Sequence, residues 1–363
     1  MKLKQFALPC LMSLFSSGSY AQSSTTLYGI IDNGLTYISN QKGHANYVVD
    51  TGIMQGDRFG FRGVEDLGGG LSTIFQLENG FNVNTGAMGS GAIFGRQAFI
   101  GFEDASWGRL TIGRQYDPMS ELVGYQTLGP YVGLYNTIPV DADRTAGESV
   151  SNAAKYYSPV FYGFKFGAMF AFSNQAGHFG GGIGAPRMTN FGLRYDHRNL
   201  TVAAGYMNIN GTGGSVAETA FGANSQKNLE FSIKYDIGAA SLLSSIRHAK
   251  FAGEANGATS TATAYEAGAL YHLSPALLSA FGYTHAVYTQ GRWGIWAGIL
   301  DYALSKRTDV YVSGTYEKSY SGNTPAALVG AAGIIGTPGS YDEAGASSND
   351  KQLALRIGIR TKF

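Results

Sequence analysis

The 363-residue sequence contains a single cysteine, Cys10, and only nine prolines. Cys10 lies in an apolar N-terminal segment, so the rest of the chain offers no disulfide and no thiolate metal site. Charged residues make up 14% of the chain, against about a quarter in ordinary globular proteins. Beyond the N-terminal segment, no stretch approaches the roughly 20 apolar residues of a membrane-spanning helix. A disulfide framework and a helical membrane protein are therefore both excluded.

The N-terminus has the pattern of a secretory signal peptide. Lys2 and Lys4 precede the apolar run "FALPCLMSLF", and small residues follow up to Ala21. We predict cleavage after Ala21, which removes residues 1–21 and leaves a mature chain of residues 22–363. Cleavage would remove two lysines and no acid. The resulting near-neutral charge gives no support for nucleic-acid binding.

Alternating segments recur along the remaining sequence, which is rich in glycine (52 residues) and aromatics (13%). "TLYGIIDNGLTYIS", "LSTIFQLENGF" and "NFGLRYD" each place apolar residues on one face and polar residues on the other. The C-terminal "LALRIGIRTKF" puts Leu355 and Ile357 on one face and Arg356 and Arg360 on the other. This period predicts β-strands with one apolar and one wet face. A soluble β-sandwich would show the same period, so the pattern alone does not choose between them.

The connections between these segments differ in length on the two sides. Seven are short and turn-like, beginning near residues 64, 103, 157, 195, 235, 271 and 302. Longer loops, such as 210–226, 252–261 and 321–349, lie between them. This asymmetry is typical of bacterial outer-membrane barrels. The seven turns connect fourteen strands in pairs, and one strand at each end of the chain brings the total to sixteen. We therefore predict a sixteen-stranded antiparallel barrel with an aqueous channel. The last strand should close on the first.

Several blocks of sequence together resemble the general diffusion porins of Gram-negative bacteria. They are "SSTTLYGIIDNGLTY", "DRFGFRGVEDLGGGLSTIFQLENGF", "FGRQAFIGFED", "GRLTIGRQYD", "YALSKRTDVYVSGTY" and the terminal phenylalanine. The resemblance is to the branch typical of β-proteobacteria such as Bordetella and Burkholderia. It implies a homotrimer in the outer membrane, in contact with lipid and lipopolysaccharide and inserted by the barrel-assembly machinery. It also implies that the third outer loop, here 117–151, folds inward and narrows the pore.

Basic residues are predicted on the pore wall. In "DRFGFRG", Phe59 and Phe61 point to lipid, so Arg58 and Arg62 point inward. Periodicity is ambiguous at Arg96, and the resemblance assigns it to the wall, as it does Arg58 and a basic group near Lys155. Where some enteric relatives carry a lysine after "LYG", this chain has Ile30.

Acidic residues are predicted opposite the wall, on the third loop. They are Asp117, Glu121, Asp141, Asp143 and Glu148. Asp32 and Glu78 share the lumen face and are expected to balance the arginines. A basic wall facing an acidic loop would create a transverse field that a hydrated solute must cross. Because the wall arginines are fixed and the loop acids dispersed, we expect a weak anion preference. The alternative is that the arginines only brace the loop.

Two further residues are assigned roles in assembly. Phe363 ends the apolar face of the last strand and is expected to be an assembly signal. Arg114 shares an outward face with Leu110 and Ile112, where it either reaches the membrane rim or forms a candidate subunit contact.

The expected function is a passive channel for ions and small hydrophilic solutes, without cofactor or metal. The six histidines show no metal-ligand spacing, and no catalytic motif is discernible, so an enzyme is not expected. A substrate-specific channel, a barrel enzyme and an adhesin remain the alternatives.

Overall fold

A computed structural model describes residues 23–133, 149–182, 184–211, 223–253, 257, 259–289, 291–320 and 347–363. The predicted signal peptide and three of the predicted loop acids, Asp141, Asp143 and Glu148, lie outside these residues. Seventeen strand segments are present in the described parts: β1 (Ser24–Gln41), β2 (His44–Thr51), β3 (Arg58–Gly68), β4 (Leu71–Gly80), β5 (Gln97–Asp104), β6 (Gly108–Tyr116), β7 (Ser149–Tyr157), β8 (Phe164–Ala171), β9 (Arg187–His197), β10 (Leu200–Asn210), β11 (Ser225–Ile237), β12 (Ala240–Ala252), β13 (Thr259–Ser274), β14 (Leu277–Tyr288), β15 (Gly291–Ala303), β16 (Thr308–Ser319) and β17 (Lys351–Lys362).

The segments form a closed antiparallel barrel of sixteen strands, as predicted. From β3 onwards each segment pairs with the next, and β17 pairs with β1. The second barrel strand is split: residues 33–41 of β1 pair with β2, and residues 24–30 pair with β3. The seven short turns fall where the sequence predicted them. The sequence analysis did not predict the interruption of the second strand at residues 52–57.

Side chains alternate between the lipid-facing outer surface and the lumen, with the apolar ones outward, as predicted. Apolar side chains such as Leu229 and Ile357 are 61% and 67% exposed on the outer surface. Polar and charged ones such as Arg247 and Arg356 are buried inside the barrel. This arrangement inverts that of a soluble protein, because the outer surface meets hydrocarbon and the lumen holds water. None of the described helices is both long enough and apolar enough to cross a membrane.

Phe363 seals the junction between the last strand and the first. Its backbone N–H donates to the Gly29 carbonyl (3.1 Å), and its carbonyl accepts from the Gly29 N–H (3.0 Å). Its ring lies over Gly29, where a Cβ would stand only 2.2 Å from the ring Cζ. Glycine at position 29 is therefore what allows the terminal aromatic ring to lie against β1.

We predict that deleting Phe363 impairs closure and insertion. The truncated chain loses two backbone hydrogen bonds, each worth about 0.5–1.5 kcal/mol net, and the packing of a half-exposed aromatic ring over Gly29. Fractionation of cells should show the protein in the periplasm and depleted in the outer membrane. Phe363→Tyr is the matched control and should insert normally. Normal outer-membrane levels of the truncated chain would contradict the prediction.

Candidate functional site: the pore constriction

The third outer loop enters the barrel directly after β6 and is partly helical. Its described part contains α1 (Pro118–Leu122), a 3₁₀ turn (Gly124–Gln126) and α2 (Gly129–Val132). The sequence analysis predicted an inward-folded loop here and did not predict these helices. Helix α1 begins with Pro118 at its first position. The Asp117 carboxylate caps this end by accepting from the Ser120 N–H at 2.9 Å. Asp117 is fully buried, so its charge caps a helix and does not face the open lumen.

Glycines on the inner wall form a trough for this loop. Gly167, Gly192 and Gly205 are cross-strand neighbours on β8, β9 and β10. A Cβ at Gly192 would lie 2.6 Å from the Pro118 carbonyl oxygen, and one at Gly205 would lie 2.4 Å from the Met119 Cγ. Such distances are far below van der Waals contact, so only glycine lets α1 lie this close to the wall.

A second pair of glycines accommodates α2. Gly268 and Gly282 are cross-strand partners on β13 and β14. A Cβ at Gly282 would lie 2.5 Å from a methyl group of Leu128, which is itself fully buried. The two helices therefore lie against neighbouring parts of the wall, and the chain between them contacts β11, where the Ser232 hydroxyl donates to the Val123 carbonyl at 3.3 Å.

Polar wall residues fix the loop at both helices. Asn190 on β9 accepts from the Met119 N–H (2.9 Å) and donates to the Asp117 carboxylate (2.9 Å). Glu266 on β13 accepts from the Leu128 N–H at 2.7 Å. These bonds satisfy backbone groups at the start of each helix that would otherwise be buried unpaired. Asn190 and Glu266 were not predicted as functional residues, because their loop partners depend on how the chain folds back into the barrel.

Lys155 and Glu121 form an ion pair at the base of the loop. The Lys155 ammonium lies 2.7 Å from the Glu121 carboxylate and 2.8 Å from the Tyr116 carbonyl oxygen. The Tyr157 hydroxyl also donates to Glu121. Lys155 is 5% exposed, so its charge is neutralised where the loop meets the wall. The two residues were predicted on opposing sides of the neck, and the structure brings them into contact.

A second inward element fills the break between β2 and β3, and we call residues 52–57 the inner turn. The Asp32 carboxylate accepts from the backbone N–H groups of Met54 (2.6 Å) and Gln55 (3.0 Å). The Asp57 carboxylate accepts from the Asp32 N–H (2.7 Å) and from the Thr51 hydroxyl. Met54 belongs to the same buried apolar cluster as Leu128 and Val132 of the third loop. The inner turn therefore packs against the third loop through this cluster.

Arg356 holds this arrangement to the last strand. Its guanidinium forms an ion pair with Asp50 and lies 3.6 Å from the Asp32 carboxylate. The Tyr311 hydroxyl donates to Asp32 and accepts from the Arg356 Nε–H at 2.7 Å. Arg356, Asp32 and Asp50 are each at most 1% exposed. A buried cation of this kind needs close carboxylates to offset its desolvation.

Arg58 and Arg96 stand together on the wall beside the inner turn. The Arg96 Nε–H donates to the Glu78 carboxylate at 2.8 Å, and its guanidinium lies 5.6 Å from the Tyr116 ring centre. The Arg58 Nε–H donates to the Gly56 carbonyl at 2.9 Å. A Cβ at Gly56 would lie 3.3 Å from the Arg96 guanidinium and 3.9 Å from that of Arg58, so the two cations flank the same backbone.

The Glu78 carboxylate acts on both cations, but among the described residues it forms an ion pair only with Arg96. The Tyr28 hydroxyl donates to the second Glu78 oxygen at 2.8 Å. Arg62, four residues beyond Arg58 on β3, is exposed with its guanidinium 5.6 Å from the Tyr28 ring centre. The predicted inward direction of Arg58 and Arg96 agrees with these contacts. Arg96 precedes β5, which is why strand periodicity could not place it.

Arg114 lies at the outer end of β6, where its side chain bridges two other segments of the same chain. Its Nε–H donates to the Gly95 carbonyl (2.6 Å) and its Nη1 to the Ser151 hydroxyl (2.7 Å). Gly95 belongs to the connection between β4 and β5, so Arg114 fixes the end of the second outer loop.

We predict that Gly192→Leu displaces α1 from its trough toward the pore axis. Overpacking of this kind costs about 1–3 kcal/mol, and the added side chain meets a backbone carbonyl that cannot turn away. Single-channel conductance and the temperature of barrel unfolding should both fall. Ala204→Leu, on the outward face beside Gly205, is the matched control. Equal conductance in the two variants would contradict the trough.

Comparison with known proteins agrees with this architecture. The family model described as "Gram-negative porin" matches residues 7–322. An outer membrane porin protein of Bordetella pertussis is 34% identical over 233 residues, which cover 57% of this chain and 60% of that protein, less than two thirds of its length. Outer membrane porin protein 32 of Delftia acidovorans is 28% identical over the full length of both chains, in an alignment of 376 positions.

Solved structures show the same fold at lower identity. The anion-selective porin from Comamonas acidovorans superposes with a TM-score of 0.77 at 22% identity, covering 94% of this chain and 100% of that one. The trimer form of OmpT from Vibrio cholerae superposes with a TM-score of 0.67 at 14% identity, covering 94% of this chain and 99% of that one. Since the family model spans most of the sequence, the chain belongs to the Gram-negative porins, the barrel channels of the outer membrane.

Proposed function

We propose that the protein is a passive, water-filled channel for ions and small hydrophilic solutes, with a weak preference for anions. The observation that carries the preference is the pair of adjacent arginines at the inner turn. Glu78 forms an ion pair with Arg96, whereas Arg58 forms none with a described carboxylate, so two cations lie beside one acid here. The neck therefore retains positive charge at the first residue of β3 and just before β5, where it can focus the local potential.

The described acids of the third loop do not cancel this charge. Asp117 is buried as a helix cap, and Glu121 is paired with Lys155. Their negative charge is used to attach the loop to the wall. Arg62 adds a further exposed cation on the Arg58 strand. The similarity to a porin described as anion-selective supports the same sign of preference here.

Passive transport fits a neck whose surface carries charged and polar groups, because such a surface favours water. A solute crosses such a neck if no group binds it too tightly to leave. A half-buried guanidinium such as that of Arg58 attracts an anion without enclosing it. The charge pattern thus suits diffusion better than retention of one substrate.

We predict that Arg58→Gln with Arg96→Gln moves the reversal potential toward cation preference. The variant is measured in a planar bilayer under a salt gradient near 0.1 M, where the Debye length is about 10 Å. The shift should shrink as ionic strength rises. Arg109→Gln is the control, since Arg109 is paired with Glu103 at the periplasmic end and lies outside the neck.

Glu78→Gln tests the same proposal in the opposite direction. It removes the carboxylate that offsets Arg96, so anion preference should increase. Unchanged reversal potentials in both the double arginine variant and Glu78→Gln would mean that these groups only brace the wall.

We further propose that three barrels associate as a homotrimer, with Arg114 ordering the second outer loop for contact with a neighbouring subunit. The proposal draws on the trimer form of OmpT and on the Arg114 bond to Gly95. Arg114→Ala should lower the temperature at which trimers dissociate on an unheated gel, because the loop end loses its anchor. Arg109→Ala serves as the control. A trimer equally stable in Arg114→Ala would remove Arg114 from the interface.

A further inference from the structure

A cavity of about 890 Å³ lies between the third loop and the short turns of the periplasmic end. On one side it is lined by α1 and the following 3₁₀ turn, through Glu121, Leu122 and Tyr125. On the other side it reaches Gly70 and Pro159, which belong to two of the short turns. A cavity of this size is in the range of sites that hold small molecules. It adjoins the neck on the periplasmic side.

Tyr125 is the aromatic residue that the third loop presents to this cavity. Among the described loop residues, 117–133, Tyr125 alone is exposed, at 47%. Its neighbours Gly124 and Gln126 are buried, and Leu128 packs fully against the wall. A half-exposed aromatic ring in a wet lumen offers a face on which a planar apolar group can stack.

Most of the charges that line the cavity are paired within the chain. The Arg109 Nη2 donates to both oxygens of the Glu103 carboxylate, at 3.0 and 2.9 Å. Arg194 donates through Nε and Nη2 to the Asp196 carboxylate, at 3.0 and 2.9 Å. Each of these two pairs is neutral as a unit, so neither gives the cavity a net charge.

The other two acids of the cavity are engaged elsewhere. Glu121 is the partner of Lys155 at the base of the loop. Asp104, the last residue of β5, accepts from the Ser106 N–H at 2.7 Å in the adjoining turn. A Cβ at Gly70 would lie 3.3 Å from the Asp104 carboxylate, which places this charge at the turns and not at the loop.

Lys165 on β8 is the cation of the cavity that lacks an acidic partner. It is half-buried and forms no ion pair with a carboxylate of the described residues. Its ammonium lies 5.1 Å from the ring centre of Tyr157, whose hydroxyl donates to Glu121. The cross-strand partner of Lys165 is Arg194 on β9. Like charges directly opposite each other destabilise a sheet, and an anion from solution would relieve this repulsion.

The lining indicates the chemical class of the anion. One ammonium without an acidic partner matches a single negative charge, and a carboxylate accepts charge-assisted hydrogen bonds from it. A dianion would leave one of its charges without a partner. The Tyr125 ring faces the same cavity, together with Leu122 and Pro159. A solute that contacts both levels therefore carries a carboxylate next to an aromatic ring.

We propose that this cavity is a transient binding site for aromatic monocarboxylates, in which Lys165 binds the carboxylate and Tyr125 stacks on the ring. The inference rests on the channel function proposed above and extends it to one class of solute. Arg58 and Arg96 act on every anion at the neck, whereas the cavity retards those that carry a ring. One ammonium and one stacking contact hold a solute weakly enough for it to leave again.

Block of the chloride current by benzoate tests the proposal. Benzoate is added at the periplasmic side of a planar bilayer that contains single channels. The wild-type current should fall in a saturable way as the benzoate concentration rises. The half-blocking concentration should rise at least about tenfold in Lys165→Gln, which loses a charge-assisted hydrogen bond. It should rise about 2–12-fold in Tyr125→Leu, which loses an aromatic contact.

Two further variants serve as controls. Lys165→Arg keeps the charge and should be blocked as the wild type is. Lys234→Gln is the matched control, because Lys234 faces the lumen on β11 beside Asp236 (3.3 Å) and lies outside the described lining of the cavity. It should also be blocked as the wild type is. Equal block of the wild type and Lys165→Gln would overturn the proposal.

A series of solutes on the wild type separates the two contacts. Acetate keeps the carboxylate without the ring, and benzyl alcohol keeps the ring without the charge. Each should block only at concentrations at least several-fold higher than benzoate, since each makes one of the two contacts. Acetate or benzyl alcohol as effective as benzoate would overturn the assignment of both contacts to one solute.

Saturation-transfer NMR on the detergent-solubilised protein separates this inference from the function on which it rests, because it reports benzoate binding without any current. Transfer to benzoate should be strong in the wild type and reduced in Lys165→Gln. A barrel that conducts chloride but neither binds benzoate nor is blocked by it would overturn the inference alone. A barrel that binds benzoate but conducts no ions would overturn the channel function alone.

Discussion

The need to pair every backbone N–H and C=O group within lipid governs this structure. An open sheet edge in hydrocarbon would leave a row of unpaired groups, each costing several kcal/mol. The chain meets the requirement by closing β17 on β1, with Phe363 bonded to Gly29 as the final step of that closure. Closure at sixteen strands then leaves an interior too wide for wall side chains to fill. The wide lumen creates the need for the third loop and the inner turn.

Filling the lumen with backbone raises the same pairing requirement a second time. Helices α1 and α2 bring unpaired N–H groups into the barrel, and Asn190 and Glu266 accept from them. The inner turn brings its own, and Asp32 accepts from two of these. Glycines supply the space, because a helix can approach a wall closely only where no Cβ intervenes. The abundance of glycine in this sequence thus has a structural use in the lumen as well as in the turns.

Local pattern was sufficient to predict the barrel, because strand period and turn length are properties of short segments. All seven turns and the inward direction of Arg356 follow from such patterns. Contacts between distant segments were not predictable in this way. Lys155 and Glu121 were placed on opposing sides of the neck, yet they touch because the loop turns back on its own strand. The break at residues 52–57 was missed because its stabilising partners, Asp32 and Arg356, lie far away in the sequence.

Burial decides which lumen arginines brace the wall and which can act on ions. Arg356 and Arg58 both face inward, but Arg356 is almost wholly removed from water and is surrounded by Asp32, Asp50 and Tyr311. A cation in that position must be neutralised, since its desolvation costs several kcal/mol, and a neutralised cation exerts little field in the pore. Arg58 is only half-buried and bonds to a backbone carbonyl, without forming an ion pair with a described carboxylate. Water stabilises the charge of Arg58 while leaving it available to a passing anion. A barrel can therefore use arginines on its inner face for two purposes, to brace the wall or to act on ions, and the depth of burial of each side chain determines which.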